Sequence, residues 1–120
     1  MKVISVDDSE SISIHIKTLF DSIDDVTFLG HAFRVSEAIQ FIETKNPDVV
    51  LLDIMLKDES GIDLLAQIKQ QYPSVEVIIL SNHSEPFYKT KCKELGAYHF
   101  LDKSYEFDKL PDILAKLKNS

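Results

Sequence analysis

Cysteine is nearly absent from this chain. Cys92 is the only one in 120 residues, so no internal disulfide can form. A lone thiol fits a reducing compartment, and its ordinary role is that of a small packed apolar side chain. No neighbour in the sequence stands out as an activating partner for it. Glycine and proline are scarce too, at three and four residues, and 44% of the chain is apolar. That is ordinary globular composition and excludes a disordered or low-complexity chain. Positive charge is short: 13 Lys and Arg stand against 20 Asp and Glu, a formal net charge of -7. With no basic run of five or more and no cationic excess to offset phosphates, direct binding to nucleic acid or to an anionic membrane is not expected. No apolar stretch approaches a membrane-spanning length, and the N-terminal run is too short, and too soon followed by acids, for a signal peptide. The expectation is a soluble, cytoplasmic protein. No repeat or linker divides the sequence, so a single domain over 1–120 is expected.

What is present is an alternation of short apolar runs with segments of helical period. Lys2–Val6 reads as a first strand. Ser9 is placed to cap a helix through about Phe20, with Ile12, Ile16, Leu19, Phe20 and Ile23 on one stripe. Val26–Phe33 reads as strand two, weakened by Gly30. Ser36 stands where a second helix would be capped, and Val35, Ala38, Ile39 and Ile42 follow the i, i+3, i+4, i+7 pattern until Asn46-Pro47 stops it. Asp48–Leu52 is apolar on both faces, as a strand buried between helix layers must be. A polar loop is expected over Lys57–Gly61, then a helix carrying Leu64, Leu65 and Ile68. Glu76–Leu80 reads as strand four, and Glu85–Leu95 as a helix closed by Gly96 in a left-handed cap. Tyr98–Asp102 is strand five. The last helix starts near Asp108, with Pro111 in its first turn and Leu110, Ile113, Leu114 and Leu117 on its buried stripe. Five β-then-α units predict an α/β domain with a parallel sheet and helices on both faces.

In such sheets ligands bind beyond the carboxyl ends of the strands. The residues at those ends are polar: Asp7-Asp8 after strand one, Asp53 after strand three, Ser81 after strand four and Lys103 one residue past Asp102. Each alone is an ordinary surface or turn residue. Together they put three carboxylates, a hydroxyl and an ammonium at one rim. Like charges so close repel, so one carboxyl protonates or a cation intervenes. Magnesium takes oxygen ligands and keeps several waters, so two carboxylates and a backbone carbonyl suffice for it. The compact cation of Lys103 suits a phosphate or carboxylate partner.

The segments VDD at 6–8, LLDIM at 51–55, SGIDLL at 60–65, IILSN at 78–82 and GAYHFLDKS at 96–104 make the chain similar, over its whole length, to the receiver domain of two-component response regulators, in its single-domain form. The resemblance implies a flavodoxin-like, doubly wound five-stranded sheet of order 2-1-3-4-5. It implies that Asp53 accepts a phosphoryl group from the phosphohistidine of a histidine kinase or a histidine phosphotransfer protein. Asp8, Asp53 and the backbone carbonyl of Met55 would bind Mg2+, with Asp7 on a metal-bound water, while Ser81 and Lys103 contact the phosphoryl oxygens. Phosphoryl transfer needs positioning and charge neutralisation more than covalent help, and an ionised carboxylate needs no base. An acyl phosphate would hydrolyse slowly and reset the domain. The resemblance also makes Ser81 and Phe100 a switch pair that biases the face of helix four, strand five and helix five toward a downstream protein or an output domain, or toward a phosphorylation-dependent dimer. Ile14 and His15 would lie near the kinase-docking end of helix one, and Tyr88, Lys91 and Tyr105 on the output face.

Some positions depart from the family. Lys57 and Ser104 stand where proline is frequent, so a cis bond after Lys103 loses its usual basis. Asn82 replaces a small residue and would crowd the acceptor. Met55 cannot orient a water by a side-chain hydrogen bond, whereas His83 could bind or shield one. Two other readings stay open. A haloacid-dehalogenase-type phosphohydrolase uses a similar set, but needs a second Asp at the position of Met55. A pseudo-receiver would use the same fold for binding without phosphorylation. No DNA-reading helix pair follows helix five in these 120 residues, which fits either a single-domain regulator or a piece of a longer chain.

Overall fold

A computed structural model describes residues 1–119, so the last residue of the expected 1–120 domain lies outside the described residues. The elements run β1 (Lys2–Val6), α1 (Glu10–Asp21), β2 (Thr27–Ala32), α2 (Val35–Lys45), β3 (Val49–Leu52), β4 (Met55–Leu56), β5 (Glu59–Ser60), α3 (Gly61–Gln71), β6 (Glu76–Ser81), α4 (Pro86–Glu94), β7 (His99–Asp102), a 3-10 turn (Phe107–Lys109) and α5 (Leu110–Lys118). The main sheet has the order β2-β1-β3-β6-β7 and every pairing in it is parallel. Counted over the main sheet alone this is 2-1-3-4-5, the expected doubly wound order.

Alternation along each strand sorts the core into two layers. Ile4, Val6, Val50, Leu52, Val77 and Ile79 pack against Ala38 and Ile42 of α2, Leu64, Leu65 and Ile68 of α3, and Cys92 of α4. Val3, Val49, Leu51, Ile78, Leu80 and Leu101 pack against Ile12, Ile16 and Phe20 of α1 and Leu110, Ile113 and Leu114 of α5. A strand covered on both faces must be apolar at every position, and all four residues of β3 are buried for that reason. Each of the Val, Leu, Ile and Phe side chains among these contributes about 1.5–3 kcal/mol on burial.

Several boundaries follow local chemistry. Ser9 caps α1, its side chain accepting from the Ile12 N–H. Gly96 has φ +101, the left-handed conformation expected after α4. Ser36 does not cap α2. That helix begins at Val35, its N-cap Arg34 makes no side-chain cap bond, and the Glu59 carboxylate takes the Val35 N–H instead at 3.0 Å. A long-range acceptor there replaces the local one. The expected loop over Lys57–Gly61 is largely structured: β4 and β5 form a small antiparallel hairpin, with Asp58 at φ 61, and Gly61 opens α3. The last helix is preceded by one 3-10 turn, with Pro111 in the first turn of α5. Among the described residues no helix is long and apolar enough to cross a membrane.

Candidate functional site

The pleat that built the core continues past the strand ends. Asp7 N–H donates to the Ala32 carbonyl, Asp53 N–H to the Val6 carbonyl and Lys103 N–H to the Ser81 carbonyl, each at 3.0 Å. The ladder therefore runs one residue beyond β1, β3 and β7. Counting by twos from Val3, Leu51 and Leu101 puts Asp7, Asp53 and Lys103 on the α1/α5 side of the sheet, while Ser81 falls on the other side in line with Ile79.

The side chains meet accordingly. Lys103 Nζ donates to Asp7 Oδ2 at 2.5 Å and to Asp53 Oδ2 at 2.7 Å. Ser81 Oγ donates to the other oxygen, Asp53 Oδ1, at 2.8 Å, and Oδ1 also accepts the Met55 N–H at 3.0 Å. Ser81 is itself held by the His83 N–H, 3.1 Å from Oγ. Asp7 and Asp53 are 3% and 6% exposed and Ser81 is fully buried. Both oxygens of Asp53 thus have donors, and its carboxylate is clamped from two faces of the sheet. Charge-assisted bonds of this kind are the stronger class.

The electrostatics follow. Burial pushes the Asp7 carboxyl above its ordinary value of 3.8, against its bonds to Lys103 and the Ser9 N–H, and the nearby Asp53 adds to the rise. Burial alone would lower Lys103, but its bonds to Asp53 and Asp7 outweigh that, and the ammonium lies above 10.5. Asp8 lies outside this cluster. It is exposed and its carboxylate accepts the Lys57 N–H at 2.8 Å.

Of the residues expected at the rim, Asp7, Asp53, Ser81 and Lys103 form one bonded cluster. Asp8 lies next in sequence and is tied to the hairpin rather than to the cluster. Met55 brings its backbone to Asp53 while its side chain is 41% exposed. Phe100 is half-buried against the α2–α4 layer, with Lys89 Nζ 6.0 Å from its ring centre. Asn82 is exposed and its side-chain oxygen accepts from Ser104 at 2.7 Å. The His83 ring lies edge-on to Tyr88, 6.3 Å between centres. No cis peptide occurs among the described residues, the Lys103–Ser104 bond included.

An all-oxygen set of carboxylates and a backbone carbonyl fits a hard divalent ion such as Mg2+. Among the described residues no group of three or more His, Cys, Asp or Glu side chains is arranged to hold a metal. In the arrangement present, the Lys103 ammonium supplies the neutralising charge between Asp7 and Asp53.

Four contributors were not anticipated from sequence. The N–H groups of Lys57 and Met55 belong to a backbone shape that no side-chain motif reports. Gly61 sits so close under the chain that leaves β3 that a Cβ there would fall 2.0 Å from the Asp53 carbonyl oxygen. His31 reaches the Asp7 carbonyl oxygen with Nε2 at 2.8 Å. The signal for it was a lone Ser5 in the otherwise apolar run 3–6 of β1.

Comparison with known proteins gives a consistent result. The sequence profile of the response regulator receiver domain matches residues 3–115. The uncharacterized transcriptional regulatory protein YhcZ of Bacillus subtilis is 29% identical over 119 residues, covering 98% of this chain and 53% of that protein. The response regulator protein VraR of Staphylococcus saprophyticus is 23% identical over 120 residues, covering 100% and 57%. The chain thus spans about half the length of the curated relatives it matches. Among solved structures, the isolated REC domain of RcsB from Salmonella enterica serovar Typhimurium, determined with the phosphomimetic BeF3-, superposes with a TM-score of 0.93 at 24% identity, covering 100% of this chain and 89% of that one. The response regulator domain of Thermotoga maritima CheB gives a TM-score of 0.85 at 26% identity, covering 99% and 94%. With the profile match covering nearly the whole chain, this protein belongs to the response regulator receiver domain family of two-component signalling.

Proposed function

We propose that this chain is a phosphoacceptor domain in which Asp53 takes a phosphoryl group from the phosphohistidine of a histidine kinase or histidine phosphotransfer protein. The observation that carries this reading is the clamp on Asp53, with Lys103 on one carboxylate oxygen and Ser81 on the other. An Asp53 oxygen forms the new P–O bond as the P–N bond breaks, and the leaving imidazole nitrogen keeps the electron pair and takes up a proton. The donors that hold Asp53 are the ones that would transfer to the phosphoryl oxygens, Lys103 as a cation and Ser81 as a hydroxyl. Asp8, Asp53 and the Met55 carbonyl, with Asp7 beside them, are the groups that would hold Mg2+, which supplies further neutralisation of the phosphoryl charge. Once bonded to phosphate, Ser81 no longer donates to Asp53 Oδ1. The 82–85 loop, tied to Ser81 through the His83 N–H, is released from its present position. Phe100, half-buried behind it, then repacks, and the face made by α4, β7 and α5 changes toward a downstream protein, an output domain or a second copy. One of the longer relatives, YhcZ, is named as a transcriptional regulatory protein, which supports a cytoplasmic output role for such a face. On α1, Ile14 is 64% exposed and gives the kinase an apolar contact.

The test is incubation with acetyl phosphate and Mg2+ followed by intact-mass measurement. One added phosphoryl group, absent in Asp53→Ala, is expected. No modification by any donor would replace this reading with a binding module. Many-turnover cleavage of phosphomonoesters would replace it with a hydrolase.

A further inference from the structure

β1 is apolar inside except at Ser5, which is 1% exposed and stands opposite His31 in the β1–β2 register. Ser5 Oγ lies 2.5 Å from His31 Nδ1, and His31 Nε2 lies 2.8 Å from the Asp7 carbonyl oxygen. A carbonyl only accepts, so Nε2 carries a proton. Nδ1 is engaged by the Ser5 hydroxyl. The imidazole thus ties Ser5 on one side to the Asp7 peptide on the other. The strand pairing ends at Val6 opposite Ala32, and the chain then turns off through Arg34 into α2. The imidazole stands where the next ladder N–H would have been. The Phe33 ring packs edge-on against it, 4.6 Å between centres, and limits its rotation. With Asp7 N–H already donated to Ala32 at 3.0 Å, the Asp7 backbone is held at both its polar groups.

We propose that His31 is a positioning residue for the acid pair, oriented by Ser5 and fixing the Asp7–Asp8 peptide so that both carboxylates are set for a divalent cation. This rests on the phosphoacceptor reading, in which those acids hold Mg2+. A position within a sheet edge is easily dismissed as structural. Here the imidazole bonds the one peptide from which two of the three acids project.

Calorimetric titration with MgCl2, alongside urea unfolding, separates the two roles. His31→Leu should weaken Mg2+ binding about tenfold, the usual cost of losing an outer partner of a metal site. His31→Gln, whose amide N–H still reaches the Asp7 carbonyl, should restore most of the affinity. Ser5→Ala combined with His31→Leu removes the orphaned hydroxyl, so its urea midpoint should recover while Mg2+ binding stays weak. Wild-type affinity in His31→Leu, or affinity regained together with stability in the double variant, would overturn the assignment. If His31→Leu does not fold, Ser5→Ala alone decides, because a free imidazole should hold the carbonyl less well and unchanged affinity would refute the idea. Failure of the wild-type protein itself to bind Mg2+ would sink the phosphoacceptor reading along with this one, an outcome distinct from the others.

Discussion

Replacing Lys103 by Met keeps the stem and removes the charge that neutralises Asp7 and Asp53. In the native protein the Lys103 side chain is 14% exposed, and those of Asp7 and Asp53 only 4% and 7%. The two carboxylates are therefore largely shielded from water. Removing one partner of a buried ion pair costs about 3–5 kcal/mol, mostly from the charge left behind. The lower end, about 3 kcal/mol, is the better figure here because one carboxyl can protonate instead. With a urea m-value of about 1.5 kcal/mol/M for a domain of this size, the midpoint should fall by about 2 M in chelated, Mg2+-free buffer. The deficit should depend on pH. Lys103 titrates above 10.5 in the fold, so its contribution is complete below that value and is lost only as pH rises through the folded value. At the acid end the contribution needs ionised partners. Asp7 titrates above 3.8, so the gap between native and variant should be widest near neutral pH and close as pH falls toward that value. Mg2+ should restore much of the loss, since the acids lose a competing cation and a ligand bound only by the native state stabilises it. Equal urea midpoints for the two proteins near neutral pH would refute the electrostatic account of the site.

Two other perturbations probe the supports of the site. Gly61→Ala would place a methyl 2.0 Å from the Asp53 carbonyl oxygen and 2.6 Å from Ile54 Cα. Backbone cannot yield as a side-chain tip can, so a loss of at least about 3 kcal/mol in urea unfolding is expected, with slower acetyl phosphate labelling; a neutral substitution would show the contact misplaced. Asp102 accepts from Ser84 Oγ at 2.7 Å and from the Ser104 and Tyr105 N–H groups at 2.9 and 3.0 Å. The Ser84 bond leads the effects that hold its carboxyl below 3.8. A depressed carboxyl contributes stability above its unfolded value and loses it as pH falls through the folded one. Asp102→Asn should therefore unfold at lower temperature than wild type at neutral pH and match it in acid below 3.8, as read by circular dichroism. A deficit that persists in acid would point to lost geometry rather than lost charge.

The sequence by itself determined the fold and the residues at the rim. Runs such as Val49–Leu52 can be satisfied only between two helix layers, and five of them joined by amphipathic segments leave few sheets to build. Polar residues that end such runs must lie at the carboxyl edge, which is why Asp7, Asp53, Ser81 and Lys103 could be named in advance. Local signals failed where a distant group supplied the bond. Ser36 looked like a cap, but Glu59 took the Val35 N–H, and a polar loop became a hairpin that gives Asp8 and Asp53 their backbone donors. Only the tertiary structure decided that Lys103 bridges Asp7 and Asp53, that Asp8 faces the hairpin, and that Gly61 must lack a Cβ. Side-chain period and composition fix which face a residue occupies. Distances of a few ångströms between segments far apart in the chain depend on strand register and loop path, which no single segment encodes.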